Sequence, residues 1–253
     1  MSSALFHKRL KKEEMRNNIY KFKFLKSQNI IHGVSTKFFG SIKNNGNINK
    51  KNLKGFLDAI HLEVKSVVFP EQVHGSSVVT IDDSKKQFIQ NADGLITVTK
   101  NVFLGVVTAD CLPVIFYDEK MGIVGIAHAG YKGILKGILK NMVMSFKKLG
   151  SDTKNILVAI GPSIGVCCYD VSIERVEMFE NAFKGIKTHK IRNGKYFLDL
   201  KNVANKVLLK EGIQEKNIEI SPICTKDSLN KFFSFRGEGP ENFGEFVTVV
   251  GRI

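Results

Sequence analysis

The chain has 253 residues, of which 43% are hydrophobic and 25% are charged; this composition is that of a globular protein and excludes a fibrous or disordered one. Its 38 basic and 24 acidic residues give a net charge of +14, but the lysines are dispersed, so we predict a solvated basic surface and no specific nucleic-acid partner. The most apolar run, 102–117, is interrupted by Thr108, Asp110 and Pro113, so no stretch approaches the roughly 18 residues of a membrane-spanning helix.

The cysteines and the first residues of the chain indicate a reducing compartment. Four cysteines, two of them adjacent at Cys167 and Cys168, make a poor disulfide framework. In a reducing compartment such thiols serve as ligands, nucleophiles or core residues. The apolar run at 4–6 is far shorter than the hydrophobic region of a secretory signal. We therefore expect a cytoplasmic protein that makes no membrane contact.

In chain order, the predicted elements begin with a polar, basic arm over residues 1–19, followed by one catalytic domain over residues 20–253. Residues 40–54 are rich in Asn, Lys and Gly and predict a loop or very short elements. Beyond residue 65, short apolar runs that are rich in β-branched residues and bounded by Gly or Asp predict strands. We expect strands at 66–69, 77–81, 94–99, 103–107, 113–117, 123–127, 155–160, 196–199, 218–223 and 246–250.

Apolar residues spaced three and four apart predict three amphipathic helices. The repeat over 131–150 predicts one helix of about four turns that ends at a glycine. The other helices are expected over 173–183 behind a Ser172 cap and over 200–211 behind an Asp199 cap. The interleaving of helices with strands, without the regular alternation of a barrel or a GxGxxG turn, predicts an α/β or α+β fold with mixed sheets.

Three segments place a candidate metal ligand beside small residues where a strand is expected to end. They are QVHG with His74, TADCLP with Cys111 and GIAHAGYKG with His128. Two imidazoles and a thiolate suit zinc, and three protein ligands leave a coordination position for water or substrate. Gaps of this length do not form a compact zinc motif, however, and from the spacing alone a structural histidine and a core cysteine are the more common interpretations.

The segments VHG, ADGLIT, TADCLPVIFYD, GIAHAGYKG, IGPSIGVCCYDV and FFSFR follow one another between about His32 and Arg236. In this order they resemble the YfiH family, also called the polyphenol oxidoreductase laccase or purine nucleoside phosphorylase family. The resemblance implies a single four-layer α/β/β/α domain and a zinc site formed by His74, Cys111 and His128. It also implies phosphorolysis of adenosine, inosine, guanosine and methylthioadenosine, and deamination of adenosine, with a purine nucleoside and phosphate as the partners.

The same resemblance suggests which residues contact substrate. Lys37 and Lys132 occupy positions where family members carry arginines that are candidate anion contacts, so charge is kept but bidentate geometry is lost. Tyr131 replaces a tryptophan and packs either on a base or on the core. Arg236 in FFSFR is expected either to neutralise an anion or to pair with a local acid such as Glu238.

Two acidic residues complete the candidate site. Asp110 precedes the cysteine and is expected either to orient His128 or to make a structural hydrogen bond. Near the C-terminus, NFGEF places Glu245 where relatives tend to have an arginine. This departure puts a basic contribution to the site in doubt.

Three other functions compete with the zinc interpretation. A copper-dependent polyphenol oxidase is disfavoured because it would need almost all of the six histidines, and the sequence has no His-x-His pair. A cysteine hydrolase or peptidoglycan editing factor would use Cys111 as nucleophile with His74 or His128 as base. A non-enzymatic protein that binds nucleic acid through its basic surface is the third.

Overall fold

The computed structural model of the chain describes residues 17–44 and 46–253. The strands in this part are β1 (Ile19–Tyr20), β2 (Ile30–Ser35), β3 (Lys43–Asn44), β4 (Asn47–Ile48), β5 (Val67–Pro70), β6 (Val78–Thr80), β7 (Phe88–Ile89), β8 (Gly94–Thr97), β9 (Phe103–Thr108), β10 (Leu112–Asp118), β11 (Ile123–Ala129), β12 (Ile156–Ile160), β13 (Asp170–Val171), β14 (His189–Arg192), β15 (Lys195–Leu198), β16 (Ile218–Ile220) and β17 (Phe246–Arg252). The α-helices are α1 (Lys50–Ala59), α2 (Tyr131–Leu135), α3 (Ile138–Lys148), α4 (Ile173–Ala182), α5 (Leu200–Lys210) and α6 (Phe235–Glu238).

Two six-stranded mixed sheets form the centre of the fold. The first has the strand order β1-β2-β17-β9-β5-β7, and the second has the order β16-β12-β10-β11-β8-β6. Most neighbouring strands are antiparallel, but β5 runs parallel to both β9 and β7, β12 runs parallel to β16, and β6 runs parallel to β8. Every residue of β8, β9, β10 and β11 is buried, because each of these strands is covered on both faces. This explains why their sequences are continuous apolar runs rather than alternating ones.

Three buried clusters show how the layers are stacked. One lies between the two sheets and joins residues such as Leu104 of β9 to Ile115 of β10. Another packs the second sheet against α3, α4 and α5, with Phe146 and Phe179 fully buried. The third packs the first sheet against α1 through Phe56. The order helix, sheet, sheet, helix confirms the predicted single α/β/β/α domain.

Most predicted elements agree with the structure to within three residues. The helix expected over 173–183 is observed as Ile173–Ala182, and the one expected over 200–211 as Leu200–Lys210. Asp199 caps its helix by accepting a hydrogen bond from the backbone N–H of Asn202, as its position predicts. Ser172 stands at the start of its helix but makes no capping hydrogen bond through its side chain.

The single helix predicted over 131–150 is wrong, because the chain breaks it at Gly137. This residue has φ +87°, a left-handed conformation that glycine adopts without strain, and it separates α2 from α3. No atom lies within 4 Å of where its Cβ would be, so backbone conformation rather than packing is the reason for a glycine here. The apolar repeat continues across the break and therefore does not reveal it.

Residues 40–54, predicted to be loop or very short elements, contain the start of α1. Asn49 caps this helix by accepting a hydrogen bond from the backbone N–H of Asn52. Leu53, Phe56 and Leu57 are buried at helical spacing, while lysines and asparagines cover the outer face. The apolar stripe is short and lies in a polar segment, which is why composition alone suggests a loop.

Residues 1–16, which make up most of the predicted N-terminal arm, lie outside the described residues. Among the residues that are described, no helix has the length and apolar character needed to cross a membrane.

One buried imidazole in the first sheet makes the fold sensitive to acid. His32 of β2 is 6% exposed, and its Nε2 accepts a hydrogen bond of 3.0 Å from the backbone N–H of Phe22. An imidazole nitrogen that accepts a hydrogen bond carries no proton. Burial, together with the charge of Lys21, lowers the pKa of His32 to about 4.

We expect the free energy of unfolding to fall by about 2 kcal/mol between pH 7 and pH 5 because of His32 alone. The unfolded imidazole takes up a proton near pH 6.5, whereas the folded one does so only near pH 4, so stability is lost as the pH falls through this window. Urea unfolding at several pH values should show a shallower acid dependence in His32→Gln than in the wild type. His61→Asn, which removes an exposed imidazole, is the matched control for the loss of one histidine, and its acid dependence is compared with that of His32→Gln. An identical dependence in His32→Gln and the wild type would contradict this assignment.

Candidate metal centre

The three candidate ligands meet at one edge of the sandwich, where the chain crosses from the first sheet to the second. One crossing joins β5 to β6 and carries His74, and another joins β9 to β10 and carries Cys111. His128 lies near the end of β11, where it pairs with Pro113 of β10. Cys111 therefore lies next to the end of β11, although the two residues are on different strands.

The side chains of His74, Cys111 and His128 form one cluster. Their nitrogen and sulfur atoms all lie within 4.8 Å of one another. Cys111 Sγ is 4.0 Å from His74 Nε2, and the two imidazole rings have centroids 4.7 Å apart. His128 is 3% exposed, Cys111 is half-buried and His74 is exposed, so the cluster opens to solvent on the side of His74.

Asp93, the residue before β8, holds both histidines in place. Its fully buried carboxylate accepts hydrogen bonds from the backbone N–H groups of Val73 at 3.2 Å, His74 at 3.0 Å and Gly75 at 2.6 Å. It also accepts one from Nδ1 of His128 at 2.8 Å. With Nδ1 bonded to the carboxylate, Nε2 of His128 is the nitrogen available to the cluster, and on losing its proton it has the lone pair of a ligating imidazole with a carboxylate behind it.

The backbone approaches the cluster unusually closely. A Cβ on Gly130 would lie 2.9 Å from both Cys111 Sγ and His74 Cδ2, so only glycine fits there. His74 has φ +55° and Asp110 has φ +86°, left-handed conformations that cost about 1–3 kcal/mol in residues other than glycine. Such strain persists only where surrounding contacts fix the backbone, and Asp93 supplies those contacts at His74.

The charges within the cluster favour an ionised thiol. Burial opposes ionisation of Cys111, but the charge and hydrogen bonds of His128 and His74 outweigh it and lower the pKa of the thiol to about 7. Burial also opposes the charged form of His128, yet Cys111 and Asp93 raise the pKa of that imidazole to about 9. Asp93 itself is held below its usual pKa: burial raises it, but the hydrogen bonds from His128 and from backbone N–H groups lower it further.

A cavity of about 480 Å³ opens beside the cluster, within the size range of small-molecule sites. It is lined by Lys43, Gln72, His74, Val107, Thr108, Ala109, Asp110, Cys111, His128, Tyr131, Ile164, Tyr169, Arg175, Leu200, Phe235, Arg236, Phe243 and Glu245. Eight of these eighteen residues are aliphatic residues, phenylalanines or tyrosines, and five are charged, of which two are arginines. A wall of this kind suits a planar, partly polar molecule that carries an anionic group.

The two arginines are held against tyrosine rings. The Arg175 guanidinium lies 4.1 Å from the centroid of Tyr131, and Nη1 donates a hydrogen bond of 3.3 Å to the hydroxyl of Tyr169. Arg236 lies 5.2 Å from the centroid of Tyr169 and 3.7 Å from Asp170. Stacking on an aromatic face fixes the plane of a guanidinium and leaves its N–H groups available to an anion.

The predicted substrate contacts separate into two groups. Tyr131 and Arg236 line the cavity, but Lys37 and Lys132 do not. Lys37 instead forms an ion pair of 2.7 Å with Glu238, which is therefore the partner of Lys37 rather than of Arg236. Lys132 is exposed outside the cavity lining.

Asp110 makes structural hydrogen bonds, which is one of its two predicted roles, and does not orient His128. Its carboxylate accepts hydrogen bonds from Thr225 Oγ1 at 2.6 Å, Ser234 Oγ at 2.7 Å and the backbone N–H of Arg236 at 2.7 Å. Orientation of His128 falls to Asp93 instead. Asp110 thereby ties the crossing that carries the cysteine to two later loops.

Sequence reasoning missed Asp93, Tyr169 and Arg175 and treated Glu245 only as a departure from the family pattern. Asp93 stands in ADGLIT, a segment quoted for the resemblance, so its charge beside a buried strand was the available signal. Tyr169 likewise stands in a quoted segment, IGPSIGVCCYDV. Arg175 lies on an amphipathic helix, and nothing in its local pattern distinguishes it from a solvated residue.

The chain is similar to a known protein family, to curated proteins and to solved structures. The family model described as "Multi-copper polyphenol oxidoreductase laccase" matches residues 33–253. The "Purine nucleoside phosphorylase YlmD" of Bacillus subtilis is 32% identical over 87% of this chain and 84% of its own length. "Adenosine deaminase RL5", from an unknown prokaryotic organism, is 32% identical over 76% and 77%. The crystal structure of YlmD from Geobacillus stearothermophilus superposes with a TM-score of 0.83 at 27% identity, covering 89% of this chain and 92% of that one.

We expect Asp93→Asn to weaken the affinity of this cluster for a divalent metal ion, with zinc as the test ion, by about 10- to 100-fold. The asparagine oxygen has too few lone pairs to replace a carboxylate that accepts four hydrogen bonds, so the His74 loop and the His128 ring lose their alignment. Competition with a chromophoric chelator measures the affinity, and circular dichroism checks the fold. Asp118→Asn is the matched control, since Asp118 is also fully buried and hydrogen-bonded but lies outside the cluster. Equal affinities of Asp93→Asn and the wild type would show that Asp93 does not position the ligands.

Proposed function

This chain belongs to the multi-copper polyphenol oxidoreductase laccase family, and on that premise we propose that it is a zinc-dependent enzyme that phosphorolyses purine nucleosides and deaminates adenosine. The observation that carries the proposal is the convergence of His74, Cys111 and His128 on the wall of a cavity lined by aromatic rings and arginines. Relatives named as a purine nucleoside phosphorylase and as an adenosine deaminase support it at 32% identity.

The donor set fits zinc better than copper. Two imidazole nitrogens and a thiol whose pKa is about 7 make a borderline-soft set of three, which is the number of protein ligands in a catalytic zinc site. A zinc ion held there would supply a Lewis acid and a water that ionises near neutral pH. A multi-copper oxidase needs several clustered imidazoles, and among the described residues only His74 and His128 share a cluster.

Arg175 and Arg236 are the proposed phosphate contacts. Both line the cavity, both are stacked on tyrosines, and a guanidinium binds a phosphate through paired N–H donors. Lys37 and Lys132 lie outside the cavity lining, so these arginines replace them as the candidate anion clamp. In phosphorolysis, a phosphate oxygen forms a bond to C1′ while the C1′–N9 bond breaks, and the purine keeps the electron pair and takes up a proton.

Glu245 is the proposed carrier of that proton. It lines the cavity, and its backbone N–H donates a hydrogen bond of 3.0 Å to Ser41 Oγ, which anchors the segment. Burial raises the pKa of its carboxyl, although the charges of Lys43 and the two histidines act in the opposite direction. A carboxyl with a raised pKa is suited to act as a general acid toward the departing purine and, in deamination, toward the departing ammonia.

A cysteine hydrolase is the second candidate, because the residues also form a Cys–His–Asp arrangement. His128 is hydrogen-bonded to Asp93 on one side and faces Cys111 on the other, the order of a base between an orienting acid and a nucleophile. In that case Cys111 itself would attack the substrate and no metal would be required. The two functions differ in their response to chelation.

We expect purified protein to convert adenosine to adenine and ribose 1-phosphate when phosphate is present, and to inosine in either case. His74→Ala and Cys111→Ser should each lower both rates by at least about 100-fold, the order of magnitude lost with one main electrostatic contributor. Chromatography of the products measures both reactions, and variants purified in parallel control for host enzymes. Loss of activity on chelation and its return with added zinc support the zinc enzyme. Activity that survives chelation but is lost when Cys111 is alkylated supports the cysteine hydrolase.

We expect Arg175→Ala to lower phosphorolysis by about 10- to 100-fold while deamination falls much less, because only phosphorolysis needs an anion in the cavity. Arg175→Lys should restore part of the rate, since it keeps the charge without the planar fork. Lys132→Ala is the matched control and should behave like the wild type, because this cation lies outside the cavity lining. Phosphate saturation curves with adenosine held constant measure the effect. Equal losses of both reactions would place Arg175 against the nucleoside rather than the phosphate.

A further inference from the structure

A second group of sulfur and oxygen ligands lies outside the residues that line the cavity. It consists of Cys167, Cys168, Cys224 and Asp227, whose three sulfur atoms and one carboxylate oxygen all lie within 4.8 Å of one another. Cys168 Sγ donates a hydrogen bond of 2.8 Å to Asp227 Oδ1. Cys167 is exposed, Cys168 is half-buried and Cys224 is buried, so the group is accessible to solvent from one side. None of its members is used by the proposed reaction.

Backbone contacts hold the two loops that carry these residues against each other. Ser163 and Cys224 form an isolated parallel bridge, and the backbone N–H of Thr225 donates to the carbonyl of Ser163 at 3.2 Å. The backbone N–H of Gly165 donates to Cys224 Sγ at 3.2 Å. A Cβ at Gly165 would lie 2.9 Å from Cys167 Sγ, so glycine is needed for the approach. The convergence of the four side chains therefore rests on fixed backbone.

We propose that these four residues bind one zinc ion in a closed, structural site. Thiolates are the ligands that zinc prefers in structural sites, and a set of four fills its tetrahedral shell without an open position. Zinc–sulfur bonds of about 2.3 Å place the sulfur atoms of such a site roughly 3.8 Å apart, so atoms within 4.8 Å need only small side-chain movements. The three thiols lose their protons to solvent when the ion binds.

The surrounding charges suit an anionic metal cluster. Three thiolates and a carboxylate around Zn²⁺ carry a net charge of −2. Lys201, which is half-buried beside the group, donates hydrogen bonds of 2.8 Å to the carbonyls of Ser221 and Ile223. Arg192 donates to the carbonyl of Cys167 at 2.7 Å. These two cations balance the cluster without contacting its ligand atoms.

A disulfide is a weaker explanation of the same group. It would join two sulfur atoms and leave the third thiol and the Asp227 carboxylate without a function. It would also require the adjacent Cys167 and Cys168 either to bridge to each other or to compete for Cys224. Convergence of all four donors, including an oxygen ligand, favours a cation.

The proposed ion would fasten the loops that form one wall of the cavity. Ile164 and Tyr169 line the cavity and flank the two adjacent cysteines in the chain. Thr225, which follows Cys224, donates to the Asp110 carboxylate next to the first cluster. A structural ion at this place would keep that wall in position, and its presence does not depend on the proposed activity.

Zinc stoichiometry tests the proposal. Protein purified under reducing conditions, given Zn²⁺ and dialysed should retain about two zinc ions per chain if both clusters bind, and Cys167→Ser should retain about one fewer than its parent. The double variant His74→Ala/Cys111→Ser removes the first cluster and should still hold about one ion, which Cys167→Ser then abolishes. Substitution with Co²⁺ adds an independent readout, because thiolate-to-cobalt absorption should persist in the double variant and disappear in the triple one.

The controls separate ligand loss from misfolding and from oxidation. Cys167 is exposed, so its replacement by serine leaves the core intact, and Asp227→Asn provides a second variant that should also lose the ion. Asp82→Asn, which removes an exposed carboxylate elsewhere, is the charge-matched control and should keep it. The proposal is overturned if the folded double variant retains no zinc, if Cys167→Ser and Asp227→Asn leave the stoichiometry unchanged, or if thiol titration shows these cysteines joined in a disulfide.

Discussion

The carboxylate of Asp93 joins the two parts of the chain on which the metal centre depends. The loop that carries His74 has no regular structure of its own, and His74 adopts a left-handed conformation within it. Three consecutive backbone N–H groups of this loop point at one buried carboxylate, and the same carboxylate fixes the ring of His128. A buried carboxylate is stable only when its oxygens accept hydrogen bonds. At Asp93 these bonds come from the groups that position the two histidines.

The position of the centre follows from the way the two sheets are connected. Cys111 lies on a short crossing between the first sheet and the second, and both of its neighbouring strands are fully buried. Asp110 anchors that crossing through two hydroxyl groups and a backbone N–H from later loops. The first cluster and the cysteine-rich cluster are therefore parts of one hydrogen-bonded framework, in which Thr225 lies beside Cys224 and contacts Asp110. A substitution in either loop would therefore alter the position of residues in the cavity wall.

The basic residues that give the chain its net charge are mostly not the ones that line its cavity. The net charge of +14 comes from residues dispersed along the chain, and both Lys37, which is paired with Glu238, and exposed Lys132 lie outside the cavity lining. The cavity instead contains guanidinium groups that are stacked on Tyr131 and Tyr169. Stacked arginines keep their orientation when water is excluded, which a flexible lysine does not. This difference, more than total charge, suits the cavity to an anionic substrate.

Local apolar patterns report burial, so they predicted the strands β8 to β12 and the helices α4 and α5 correctly, although they missed β2 and α1. The layered fold was implied by the family resemblance, whose motifs include His74, Cys111 and His128 of the first cluster. Which side chains meet became clear from the three-dimensional fold. Asp93 became the partner of His128 through the pairing of neighbouring strands, and Glu238 became the partner of Lys37 across 201 positions of the chain. The break at Gly137 was hidden because its apolar repeat continues on both sides. Periodicity encodes which face of an element is buried, whereas hydrogen-bond and ion-pair partners depend on distances that sheet order and loop paths set.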